Sequence, residues 1–307
     1  MNNDNDSIMP IPQPITEEYA RKLIQSLNLI NGFIFDSVLE NEEDAKIVVG
    51  RILGSIYNRK VEVDTVRSQK AFLAVDTKFH SIRMDAYVKP VKDDDTLRAT
   101  IFDVEMEDRE SDRPDLPKRL RYYNSMHDSK FLRTSTNYRA LPDFVSITIS
   151  SYDPFLAGDM YYEASTTLTT HPKIEYDDGV SHIFLYCNGK PNITNAKHSK
   201  KLTEMLRYIV SGEKPSSPNT DIDDIDKIVS RVKALPEVTT KYMKQWDREY
   251  ILQLEAEKET QKRDAIALIE FSQAHGISDV DIAEELSTRY GYDEKTIKDL
   301  FKHAKNS

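Results

Sequence analysis

Three carboxylates are spaced to share one side of a β-sheet. Asp85 lies in the run Ile-Arg-Met-Asp-Ala-Tyr-Val at 82–88, and Glu105 and Glu107 close the run Thr-Ile-Phe-Asp-Val-Glu-Met-Glu at 100–107. Residues two apart on a strand share a face, so Glu105 and Glu107 point one way while Val104 and Met106 enter the opposite layer. If the two runs are hairpin neighbours, Asp85 lies across from Glu105, and a strand separation of ~4.8 Å brings the carboxylates within reach of one divalent cation. Hard oxygen donors suit Mg2+ (or Mn2+), which keeps several waters in its shell. A water on such a metal is a usable nucleophile for a phosphodiester. Asp103 shares the same face and reads as a solvated strand residue.

The flanking sequence supplies elements to position these groups. A short amphipathic helix is expected over 16–29 and a longer one over 34–57, joined near Asn31-Gly32, with Ile47, Val48, Ile52, Leu53 and Ile56 at helical spacing. Residues 61–66, 82–88 and 100–106 alternate apolar with polar side chains as strands do, and the Lys- and Asp-rich stretch 90–95 suits a hairpin turn. Residues 116–132 return to helix, with Leu120, Tyr123, Met126 and His127 at steps of three and four. Residues 144–149 and 182–187 are short, nearly continuous apolar runs that read as buried strands. Helix, three strands, helix, strand, long connection and strand make a mixed α/β core.

Beyond Gly189 the pattern is a helix over 196–210, a Ser/Pro break at 212–219, and one long charged helix from about 221 past 258. Three helical runs follow, with Gly276 and Gly291 at C-cap positions and Ser278 and Asp293 at N-cap positions. The expected division is a loose leader at 1–15, an α/β domain at 16–212, a linker and charged helix at 213–261, and a three-helix module at 262–307.

Charge narrows the function classes. The chain has 307 residues and a net charge of −10, the reverse of what a protein living mainly on nucleic acid carries. Local charge departs from the total: residues 92–112 hold nine acids and three bases, whereas 118–139 hold six bases and one acid. The single cysteine, Cys187, excludes an internal disulfide and a cysteine zinc cage. With an acidic, proline-bearing start in place of a signal peptide, and no apolar run near the ~20 residues of a membrane span, a cytoplasmic protein is expected. There is no Gly-x-x-x-x-Gly-Lys loop, hence no expected nucleotide cofactor. No His-x-x-x-His pair and no Gly-x-Ser-x-Gly elbow occurs.

The residues around the carboxylates also carry a family resemblance. The runs IRMDAYV and ATIFDVEMED, then the helix LPKRLRYYNSMHDSKFL, resemble the PD-(D/E)xK nuclease-family transposases, the recombination-promoting nuclease group. Their pattern is a strand aspartate, Glu-x-Gln on the following strand (Glu-x-Lys in the wider superfamily), and a helix with an Arg-x-x-Tyr-like element. FDSVLENEEDAKIVVGRIL resembles the family's first helix, and Gly276-Ile-Ser with Ile282-Ala resembles its tail, so the similarity spans most of 30–307. The resemblance implies a restriction-endonuclease-like mixed sheet with helices on both faces and a helical C-terminal extension. It implies a Mg2+- or Mn2+-dependent DNA endonuclease with Asp85, Glu105 and the Met106 carbonyl as metal site and Glu107 as the third catalytic position. Lys118, Arg119, Arg121 and Tyr122 would then face the phosphate backbone. Glu43 is a candidate helix carboxylate, although a solvated glutamate is its plainer reading.

One position departs from the pattern. Lysine at the place of Glu107 orients the attacking water and offsets developing charge, whereas a third carboxylate repels the other two unless a cation is present. Lys118, Arg119 or Arg121 is placed to supply that cation. The alternative is a decayed site in a nucleic-acid- or protein-binding accessory of a mobile element or phage-defence system. The last helices have helix-turn-helix spacing, but Asp279, Asp281, Glu284, Glu285, Asp293 and Glu294 would repel a DNA groove. They read better as a protein–protein module that makes a homo-oligomer.

Overall fold

The computed structural model describes residues 15–72, 82–90, 100–131 and 137–304. At several strand positions, Asp85 among them, only the backbone is described. Along the chain lie α1 (Glu17–Ser26), α2 (Gly32–Leu39), α3 (Glu42–Ile56), β1 (Val63–Phe72), β2 (Ile82–Pro90), β3 (Thr100–Glu107), α4 (Leu116–Phe131), β4 (Asp143–Ser150), β5 (Tyr161–Ser165) and β6 (Val180–Tyr186). After them come α5 (Ala196–Ser211), α6 (Thr220–Lys233), α7 (Pro236–Ala274), α8 (Asp279–Tyr290) and α9 (Glu294–Ala304). They form two compact units, Arg21–Thr239 and a second made of Met1–Ala20 with Thr240–Ser307.

The larger unit is built on one mixed sheet of order β1-β2-β3-β4-β6-β5. β1, β2 and β3 run antiparallel in sequence, and β4 then pairs parallel with β3. A parallel neighbour demands a crossover connection, and α4 supplies it. β6 pairs parallel with β4, and β5 closes the edge antiparallel to β6.

The register sorts the side chains into two layers. Asp103 pairs with Ser146 and Ser146 with His182, so Asp103, Glu105 and Glu107 share a face with Ser146, Thr148 and Ser150. α4 covers that face: Leu116 and Leu120 meet Phe184 and Tyr162, and Tyr122, Tyr123 and Met126 pack on Ile101 and Phe144. On the opposite face Phe102 meets the Tyr57 ring, which follows α3, at 5.7 Å. The helices α2, α3, α5 and α6 contact one another there, and α3 also contacts β1. Nearly every side chain of β3 is consequently buried.

Several boundaries differ from the sequence reading. The helix expected over 34–57 is two, because Asn41 leaves helical geometry and caps α3 by accepting the Asp44 amide at 3.0 Å. The helix expected from 221 past 258 is also two. α6 ends at Lys233 with Ala234 as its C-cap, and Pro236, which has no amide to donate into a preceding turn, opens α7. β1 runs further than expected, and β5 lies inside what reads as a connection. The stretch 91–95 of the expected hairpin turn lies outside the described residues.

The second unit has its own small core. Ala265 and Ile269 from α7 meet Ile282 and Leu286 from α8 and Ile297 and Leu300 from α9. Ser278 caps α8 by accepting the Asp281 amide at 3.2 Å, and Gly291 ends it in the left-handed region at φ 68°. No described helix is long and apolar enough to cross a membrane.

Candidate carboxylate site

β3 carries the site because it is central, pairing with β2 on one side and β4 on the other. Glu105 is 7% exposed and Glu107 6%, while Asp103 is fully buried. The reading of Asp103 as a solvated strand residue is therefore corrected: alternation along β3 marks two covered layers, and α4 covers the polar one. Burying carboxylates without compensation is costly, so their partners define the site.

The partner is Arg119, on the first turn of α4. Its Nη2 donates to Glu107 Oε2 and lies 3.7 Å from Glu105 Oε2, so one nitrogen touches both carboxylates. Its Nη1 lies 3.9 Å from Asp112 Oδ2, and Asp112 is also 3.5 Å from Arg109 Nε. The other Glu107 oxygen accepts the Arg109 amide at 3.3 Å. Burial acts to lower the Arg119 pKa, but the hydrogen bond to Glu107 and the charges of Glu105 and Glu107 outweigh it and hold it above the ordinary guanidinium value. Of the three cations expected to compensate Glu107, Arg119 is the one brought to it. Lys118 and Arg121 are exposed on the outer side of α4, and Tyr122 packs partly into the core.

Several polar groups in this layer have buried atoms with no hydrogen-bond partner among the described residues: Thr148 Oγ1, Tyr152 OH, Asn124 Oδ1 and Arg119 Nε. Thr148 pairs with Glu105 across the β3–β4 ladder. Tyr152 is pushed up to about 12, first by burial and then by the charge of Glu107. Deeper in the same row, Ser146 Oγ and His182 Nδ1 are 2.6 Å apart. Apart from Arg119, none of these residues stands out in the sequence. The signal was there in the alternation Ser146, Thr148, Ser150 along a strand that reads as apolar throughout.

The other expected residues are placed as follows. Asp85 belongs to β2 one residue beyond the Ala86–Val104 pair, and Glu105 is one residue beyond it on β3; the Asp85 side chain lies outside the described residues. Met106 sits in the β3–β4 ladder opposite Ile149. Glu43 is not brought to the pair: its side chain is 82% exposed and meets Lys46 at 3.2 Å. Among the described residues no group of three or more His, Cys, Asp or Glu is arranged to hold a metal ion. Comparison of the chain with protein-family models, with curated proteins and with solved structures finds no match.

Proposed function

We propose that the chain is a Mg2+- or Mn2+-dependent DNA endonuclease of the PD-(D/E)xK type, related to the recombination-promoting nuclease transposases and working in the cytoplasm. The observation that carries this reading is the burial of Glu105 and Glu107 side by side on the central strand, a pair tolerated only with a cation between its members. The element order supports it: a helix, three antiparallel strands, a crossover helix and a parallel strand, the order expected of a restriction-endonuclease-like core. The donor chemistry supports a hard divalent cation: carboxylate oxygens, with the buried and unpartnered hydroxyl of Thr148 on the residue opposite Glu105 in the neighbouring strand.

In this reading Asp85 and Glu105, with the Met106 carbonyl, hold the metal, and Glu107 is the third carboxylate. When bound, the metal supplies a Lewis acid and a water acidic enough to attack phosphorus near neutral pH. Lys118 and Arg121, exposed on α4, hold phosphate oxygens of DNA. The test is nicking of supercoiled plasmid in Mg2+ or Mn2+. Wild type should cut, and Asp85→Ala and Glu105→Ala should lose roughly a hundredfold or more, because a catalytic metal contributes several kcal/mol. Cleavage that survives Asp85→Ala ends the proposal.

One observation favours a second reading. Arg119 already offsets one of the two negative charges of the pair, and the chain is acidic overall, as suits a catalytically silent accessory of a mobile element or defence system. Mn2+ titration separates the two, since a silent relative shows no binding that depends on Asp85 and Glu105.

A further inference from the structure

We infer that Arg119 is a built-in competitor of the divalent cation: its guanidinium occupies the cation position between Glu105 and Glu107 and is handed to Asp112 when the cation binds. This rests on the metal-site reading above and deepens it, since it makes Glu107 a ligand where the family pattern has an amide or ammonium side chain.

The geometry of a single atom carries the argument. Arg119 Nη2 contacts one oxygen of each glutamate, and thereby marks the point where one positive charge serves both. A guanidinium and a divalent cation repel and cannot share that point. The guanidinium also has a second place to go. Asp112 Oδ2 is already 3.9 Å from its other terminal nitrogen, on a side chain that is 34% exposed. The contacts of Arg119 with the carboxylates are made by its terminal nitrogens, and its Nε has no hydrogen-bond partner among the described residues. Among the described residues, then, loss of the pair leaves the Arg119 guanidinium only its Asp112 contact. Thr148, opposite Glu105 across the β3–β4 ladder, keeps a buried hydroxyl with no hydrogen-bond partner among the described residues. By linkage, whatever holds Arg119 on the glutamates weakens the cation, and whatever draws it to Asp112 strengthens the cation.

Calorimetric titration of the full chain with Mn2+ tests this without reference to activity. Arg119→Met should bind Mn2+ at least about tenfold more tightly than wild type. Asp112→Asn, which removes the second partner of the guanidinium, should bind it more weakly. If Arg119→Met binds equally or less tightly, Arg119 organises the carboxylates and does not compete, and the inference is overturned. Should Arg119→Met fail to fold, Asp112→Asn decides, because an unchanged affinity there is equally fatal. Absence of Mn2+ binding in wild type and both variants overturns the metal-site reading itself, an outcome distinct from either of these.

Discussion

At the scale of single residues, the carboxylate layer shows how far alternation can be read. The two-residue spacing of Asp103, Glu105 and Glu107 states that they share a face, and they do. It does not state that the face is covered, because a polar letter on every second position is also how a solvated strand looks. Burial comes from α4, a crossover helix whose position depends on β4 pairing parallel to β3, which no local pattern encodes. Two predictions belong here. Arg119→Met leaves two buried carboxylates without their cation and should cost about 3–5 kcal/mol in urea unfolding. Arg119→Lys, which keeps the charge, should cost less. The second concerns His182, whose pKa burial holds below the ordinary 6.5 against the opposing charge of Asp178. A ring kept neutral when folded and free to protonate when unfolded contributes stability above the ordinary value, and that stability is lost as pH falls below it. Between about pH 7 and pH 5, wild type should lose thermal stability relative to His182→Phe. Parallel melting curves would contradict it.

Among the elements, those with strong periodicity were legible and those made by punctuation were not. β2 and β3 follow from period-two alternation, β4 and β6 from short apolar runs, and α4 from three-and-four spacing. The interruptions at Asn41 and at Leu235-Pro236 do not show in the apolar pattern, because helical spacing resumes within a few residues of each break. Both breaks are nevertheless written in the sequence, one as an N-cap and the other as a proline at a helix start. β5 was missed for another reason: Tyr-Tyr-Glu-Ala-Ser is a short, half-exposed edge strand with little apolar content. The Asn41 cap gives a clean test. Asn41→Ala removes the acceptor of the Asp44 amide and should lower stability by about 1 kcal/mol. A loss near zero would mean that α2 and α3 are separated by packing alone.

Over the whole molecule, buried charge and exposed apolar surface are divided between the two units. The larger unit, Arg21–Thr239, carries the carboxylate site and the exposed cations of α4. The smaller one carries α8, with four acids against one base, and the lysine-bearing α9 on a core of six buried residues. That unit also presents apolar side chains to solvent: Ile251, Leu252 and Phe271 on α7, Ile277 after it, and Val280 on α8, all among the exposed large hydrophobics. Exposed apolar groups concentrated on a long charged helix and its small terminal bundle are what a second copy can bury. We therefore propose that the chain is a homodimer or larger oligomer assembled through residues after about Asp247, which would also give the proposed nuclease the pair of sites needed to cut both strands. Leu286 is fully buried in the small core, so Leu286→Ala should cost this unit about 2–5 kcal/mol and unfold it. Light scattering should then give an oligomeric mass for the full chain and a monomeric one both for Leu286→Ala and for a chain truncated after Pro236. A monomeric mass for the intact protein at micromolar concentration would end the oligomer proposal, and it would leave the carboxylate site to be judged by metal binding alone.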